Sequence, residues 1–377
     1  MVKESLSSEK ALKLFEAFWE LPDSRDNRGK RHDQAFVLCG CVLAIMAGLS
    51  SVSGIHRYIK NKWGWLQEVT QQSTRQCISR AQLPRLLDNV NWESLNHLIF
   101  EHLGIYIGNL VNGEWVALDG KSLRGTSGEQ IVSARTHQSG RIVAQGRMQG
   151  IKSSEILGVR TLLESAVLKG QTITLDALHF NPETTALIHQ NQGRYLIQVK
   201  DNQPLLRALC QQIALNEKML GQLESFEKSN GRLQSRKAQF FSFADNSLDS
   251  RWKHSGLLSF VRLERTVEAI KTKQVSTEVS SSVTNQLLQA QELQVESLVA
   301  LRQHWGIESW HWIRDVTFSE DRVKSKYPNL AQILALLRTC VLGGFKKFGG
   351  KNMKENLDHC RDSEVFFLNI LCQAGFL

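Results

Sequence analysis

The chain predicts a mixed α/β protein, with a helical N-terminal region, an α/β core and a β-rich segment inserted ahead of a late helix. Three observations predict it. Apolar residues recur at helical spacing through residues 1 to about 110. From about residue 114 short apolar runs alternate with helical stretches, the pattern of a mixed sheet covered by helices. Between about 225 and 285, strand-like runs follow one another with only turn residues between them. At 377 residues the chain has room for two or three domains. The division expected is a helical domain over 1–110 and a core over 111–377, with the β-rich insertion at about 207–297.

The elements follow in order. Residues 11–21 carry apolar side chains at helical spacing and stop near Pro22, where the charged loop DSRDNRGKRHD begins. The next run, residues 35–49, is 15 residues long. It is too short to span a bilayer and too far from the start for a signal peptide, so a buried helix is expected. Helical stretches follow at 51–69 and 92–108, the second with Asn91 as N-cap and Glu93 in its first turn. WVALD (115–119), RIVAQGRM (141–148), TITLDA (172–177) and YLIQVK (195–200) read as strands, with helices at 153–169 and 182–191. FFSFAD, LLSFVRLERTVEAI and QVSTEVSSSVTN supply the strands of the insertion, and residues 330–345 a closing helix.

The formal charge is +9, from 46 Lys and Arg against 37 Asp and Glu. Such an excess favours a polyanionic partner without naming it. Seven cysteines, an odd number with no CxxC pair, exclude a zinc ribbon and a disulfide framework and suit a reducing cytoplasm. Cys39 and Cys41 lie within the apolar run and are expected as buried thiols.

Three acids carry the chemistry. Asp119 ends an apolar run in WVALDGKSLRG, with Gly120 for a tight turn and Lys121 and Arg124 as phosphate-binding cations. Asp176 ends a second run in ITLDALH, where capping the next helix is its bland role. Functional side chains gather at the carboxyl ends of parallel strands, so two such aspartates can share divalent cations. Glu308 lies in HWGIESWHW. On a continuous helix Leu301, His304, Trp305, Glu308, His311, Trp312 and Asp315 share one face, which its tryptophans should turn inward. A carboxylate inside such a face needs a partner or a metal. His304, Glu308 and His311 also form an H-x3-E-x2-H array, which keeps a zinc or iron hydrolase open. VKDNQPLL offers Lys200, Asn202 and Gln203 as phosphate donors, and NGRLQSRK offers Arg232, Arg236 and Lys237.

DGKSLRG, LDALH, VKDNQP, NGRLQSR and HWGIESWHWIRDVTFSED, in this order, resemble the H-repeat-associated group of insertion-sequence transposases. That resemblance implies a DDE transposase with a ribonuclease H-like core, and the N-terminal DSRDNRGKRH with its apolar helix resembles the domain preceding such a core. It implies Asp119, Asp176 and Glu308 as the acidic triad, holding two Mg²⁺ ions for which Mn²⁺ can substitute. Lys121, Arg124, Lys200, Asn202, Gln203, Arg232, Arg236, His304 and Lys324 would then face DNA. The implied partners are double-stranded DNA, as terminal inverted repeats and target, and a second copy of the chain on that DNA. The implied place is the bacterial cytoplasm, at the nucleoid, with no membrane. A DNA-binding descendant that no longer cuts is the other reading within this group. The glutamate motif departs from the group's usual IEN-x-LHW by one missing residue. On a helix that loss turns everything after it by about 100°, which bears on His311 and Asp315 more than on Glu308.

Overall fold

The computed structural model describes residues 12–73, 76–102, 114–123, 130–148, 153–165, 167–229, 231–244, 247–323, 325–349 and 352–376. Six short helices open the described chain: α1 (Lys13–Trp19), α2 (Gln34–Met46), α3 (Val52–Asn61), α4 (Trp63–Thr70), α5 (Gln82–Asp88) and α6 (Trp92–His97). Caps explain several starts: Asp33 accepts from Phe36 N at 2.7 Å, and Asn91 accepts from Ser94 N at 2.8 Å, as expected of it. Every residue of α2 is buried, including Cys39 and Cys41, which is why it is apolar all round. Among the described residues no helix is long and apolar enough to cross a membrane.

The core strands are β1 (Trp115–Ser122), β2 (Gln130–Thr136), β3 (Ile142–Met148), β4 (Thr172–Leu175) and β5 (Arg194–Val199). Helices α7 (Ser153–Leu163), α8 (Pro182–Gln190) and α9 (Pro204–Asn216) are interleaved with them. Next come β6 (Gly221–Ser229), β7 (Arg232–Ser242), β8 (Ser259–Ala269) and β9 (Val275–Thr284). The chain then closes with α10 (Gln291–Gln303), α11 (Gly306–Trp312), α12 (Leu330–Phe348), α13 (Met353–Asp362) and α14 (Glu364–Ala374).

All nine strands form one mixed sheet in the order β3-β2-β1-β4-β5-β9-β8-β7-β6. The first five run 3-2-1-4-5, with β1, β4 and β5 parallel and β2 and β3 antiparallel, which is the ribonuclease H-like order. The β-rich insertion is therefore a continuation of the core sheet: β9 pairs antiparallel with β5, Leu196 opposite Thr284. Its inner ends are buried at Phe260, Val261 and Val283, while much of β6 and the first half of β9 meet solvent.

Both faces of the sheet are covered. Val116, Leu118, Val132, Ile173 and Ile197 pack with Val159 of α7 and Leu206 and Cys210 of α9 on one face. On the other, Trp115, Leu196, Ala238 and Phe240 pack with Leu298 and Ala300 of α10. The N-terminal helices share a further core with α12 to α14.

Candidate active site

Asp119 lies on β1 in register with Ser133 of β2. The strand runs on through Gly120 to Ser122, so the glycine makes no turn, contrary to expectation. Its use is close approach. A Cβ at position 120 would stand 2.6 Å from the Glu155 carboxyl carbon, so the bare α-carbon leaves the space in which the Glu155 carboxylate lies beside Asp119. Asp176 follows β4 and caps the short turn Ala177–His179, accepting from Leu178 N at 2.8 Å. Its bland capping role and its place at the site coexist. Desolvation raises the Asp119 carboxyl to about 7, and the neighbouring Asp176 and Glu155 carboxylates push the same way.

The late helix is not one continuous rod. It breaks at His304 and Trp305, between α10 and α11, and passes into a π-helical turn at Ile313–Thr317. The expected single inward face is thereby split. Ile307 and Trp310 are buried, whereas Trp305 is 57% and Trp312 is 60% exposed. Glu308 is exposed too, so it is no buried carboxylate in need of rescue. Gly306 sits at the break, where a Cβ would overlap an Arg135 guanidinium nitrogen, so a side chain there would require Arg135 to shift.

Asp119, Asp176, Glu308, His304 and Lys200 line one cavity of about 200 Å³, walled also by Thr174, Arg265 and Trp305. His304 Nδ1 and His137 Nε2 each stand 2.9 Å from Thr174 Oγ1. Desolvation lowers His304 to about 4 and His137 to about 3, so both rings stay neutral near pH 7. His311 Nδ1 is 3.4 Å from Asp119 Oδ2, and burial lowers this ring to about 3. The H-x3-E-x2-H array does not converge. Among the described residues the group placed to share an ion is Asp119, Glu155 and His179, whose ligand atoms lie within 4.8 Å of one another.

A family model described as "Transposase DDE domain" matches residues 117–343, and one described as "DDE_Tnp_1-associated" matches residues 15–103. The chain belongs to the DDE transposase family. Among its relatives, "Putative transposase YncI" of Escherichia coli O157:H7 is 25% identical over 370 residues, 92% of each chain. "H repeat-associated putative transposase YhhI" of Escherichia coli K12 is 24% identical over 351 residues, 86% of this chain and 88% of its own.

Several cations expected on DNA have other uses in this DDE transposase. Lys121 is 7% exposed, with Nζ 2.5 Å from Asp315 Oδ1 and 3.2 Å from Asp321 Oδ1. It shares a face of β1 with Asp119 and meets the segment that carries His311 and Asp315. Those two residues stand beside the site, His311 against Asp119 and Asp315 against Lys121. Asn202 donates to Ala177 O at 2.6 Å and Gln203 to Phe180 O at 3.1 Å, so both amides brace the turn after Asp176. Arg236 lies on β7 against Glu227 and Gln234, and Arg232 is exposed at the start of that strand. Lys200 is exposed at the cavity rim. Arg124 and Lys324 lie outside the described residues.

Glu155 and Thr174 carry no motif signal of their own, and His179, though it closes LDALH, is not marked there as a ligand. Glu155 is a first-turn acid like many others, and nothing local tells a buried, unpartnered histidine from an exposed one.

Proposed function

We propose that this DDE transposase cuts and joins transposon ends by metal-dependent phosphodiester chemistry. The observation that carries the reading is geometric: Asp119, Asp176 and Glu308, up to 189 positions apart in the chain, line one cavity at the carboxyl ends of parallel strands β1 and β4. The donor set fits divalent cations. Carboxylates converge there, and burial, with the Asp176 and Glu155 carboxylates beside it, raises the proton affinity of Asp119, a charge problem that a bound cation would relieve. Asp119, Asp176 and Glu308 would hold Mg²⁺ or Mn²⁺, and such ions supply a nucleophilic oxygen and a counter-charge for the leaving one.

The chain's own residues do the rest. Thr174 fixes His304 as a neutral imidazole on the cavity wall, and Lys121, tied to Asp315 and Asp321, locks α11 and its π turn to β1. Lys200 and Arg265 place positive charge at the cavity, where a phosphate backbone would pass. From there Trp305 leads to the face of Arg236, Arg265 and Arg302 on the extended sheet and α10. This arrangement supports double-stranded DNA as the partner; two copies of the chain would hold terminal inverted repeats and target. The working place would be the bacterial nucleoid.

The test is incubation with the DNA that flanks the protein's own gene, with Mg²⁺ or Mn²⁺, and mapping of nicks. Asp119→Asn and Glu308→Gln should each lower cleavage by more than about 1,000-fold while DNA binding survives. Cutting at the wild-type rate by both variants would sink the triad assignment. Binding without cutting by the wild type under either metal would favour a DNA-binding descendant.

A further inference from the structure

His179 is fully buried, yet neither ring nitrogen has a hydrogen-bond partner. A buried imidazole left so is costly unless something else meets it. Its Nε2 faces carboxylates: Glu155 Oε1 stands 3.4 Å away and Asp176 Oδ1 4.0 Å, neither as a formed hydrogen bond. Glu155 in turn occupies the space that the missing Cβ of Gly120 leaves open. Three elements, β1, α7 and the turn after β4, thus converge on one point with two carboxylate oxygens and one imidazole nitrogen.

We propose that Asp119, Glu155 and His179 form a nitrogen-bearing site for a divalent transition-metal ion, distinct in ligand set from the acidic triad and joined to it through Asp119. The inference rests on the reading of Asp119 as a metal ligand and deepens it by naming the class of ion. Mg²⁺ takes oxygen ligands and water, whereas an imidazole suits first-row transition ions, of which Mn²⁺ is the one that carboxylates also suit. Binding would give His179 Nε2 the partner it lacks and neutralise Glu155 beside Asp119. Gly120 and the bracing amides of Asn202 and Gln203 would hold the site's shape, since they fix Glu155 and the 177–180 turn.

The test needs no cleavage. Metal-free full-length protein, without DNA, is titrated with Mn²⁺ and separately with Mg²⁺ by calorimetry, and bound Mn²⁺ is examined by pulsed electron paramagnetic resonance. Mn²⁺ should bind at least about 10-fold tighter than Mg²⁺, with nitrogen coupling from an imidazole. His179→Gln should remove that coupling and weaken Mn²⁺ by about 10-fold or more. Glu155→Gln should weaken binding but keep the coupling, and Asp176→Asn and Glu308→Gln should keep it too, which separates this site from the triad. The proposal is overturned by bound Mn²⁺ without nitrogen coupling, by coupling that survives His179→Gln, or by equal affinity for the two ions. If His179→Gln melts early without metal, Glu155→Gln decides, and wild-type Mn²⁺ affinity in it overturns the proposal. Loss of cleavage in Asp119→Asn without any nitrogen coupling would leave the transposase reading standing. Nitrogen-coupled Mn²⁺ in a protein that cuts no DNA would do the reverse.

Discussion

Three histidines around Asp119 and Asp176 are held neutral because burial denies them the solvation a charged ring needs. The sign of the effect on stability follows. For His137 the folded value, about 3, lies below the ordinary 6.5, so the unfolded chain takes up the proton first as pH falls. Its contribution is complete above pH 6.5 and is lost progressively as pH drops toward 3. Each such ring should cost roughly 1 kcal/mol between pH 7.5 and 5.5. His137→Gln is therefore expected to narrow the gap between urea stabilities at those two pH values by about that amount. An unchanged gap would show that His137 takes up its proton as readily in the folded protein as in the unfolded chain. Asp119 and Asp176 were legible at this scale because each closes an apolar run. His179 and Glu155 were not, since their meaning lies in what surrounds them.

Individual elements decide how the site is aimed. The turn after β4 carries Asp176 and is braced from the start of α9 by Asn202 and Gln203. Paired Asn202→Ala and Gln203→Leu substitutions should lower cleavage by about 10-fold while leaving DNA affinity and its salt dependence unchanged. Direct phosphate contacts would instead show a weaker, flatter salt dependence of binding, by about one phosphate. The break between α10 and α11 matters in the same way. Gly306→Ala should force Arg135 or the start of α11 to move, displacing Glu308, and should cost about 1–3 kcal/mol by overpacking, read by urea denaturation alongside cleavage. The periodicity of residues 301–315 suggested one regular helix. A residue pattern cannot report that the break brings Gly306 against a guanidinium, Arg135 of β2, from a distant part of the chain.

At the scale of the whole molecule, a buried ionic cluster ties the N-terminal helices and α12 to the segment that follows α11. Arg314 donates to Glu320 at 2.8 and 3.0 Å, Arg338 of α12 lies 3.4 Å from the same carboxylate, and Arg338 also donates to Ser50 O at 3.0 Å. All three charged groups are buried, and the attraction of both guanidiniums keeps Glu320 ionised against the cost of burial. Glu320→Gln would leave two guanidiniums short of their counter-charge and should cost about 3–5 kcal/mol, measured by chemical denaturation. A loss under about 1 kcal/mol would mean that the cluster is not what joins the N-terminal helices to α12. The shared core of those helices with α12 to α14 is invisible to local patterning, because apolar faces state that they will be covered and not by what.

The sequence by itself determined the classes of element, the buried α2, the strand-end aspartates and the motif order that marks a DDE transposase. These are local matters, set by hydrophobic period, caps and residue type within a few positions. Only the tertiary structure decided that the β-rich insertion extends the core sheet, that Lys121 serves Asp315 and Asp321, and that Glu155 and His179 stand beside Asp119. Each of these depends on which distant surfaces meet, and on the space a glycine or a helix break leaves between them.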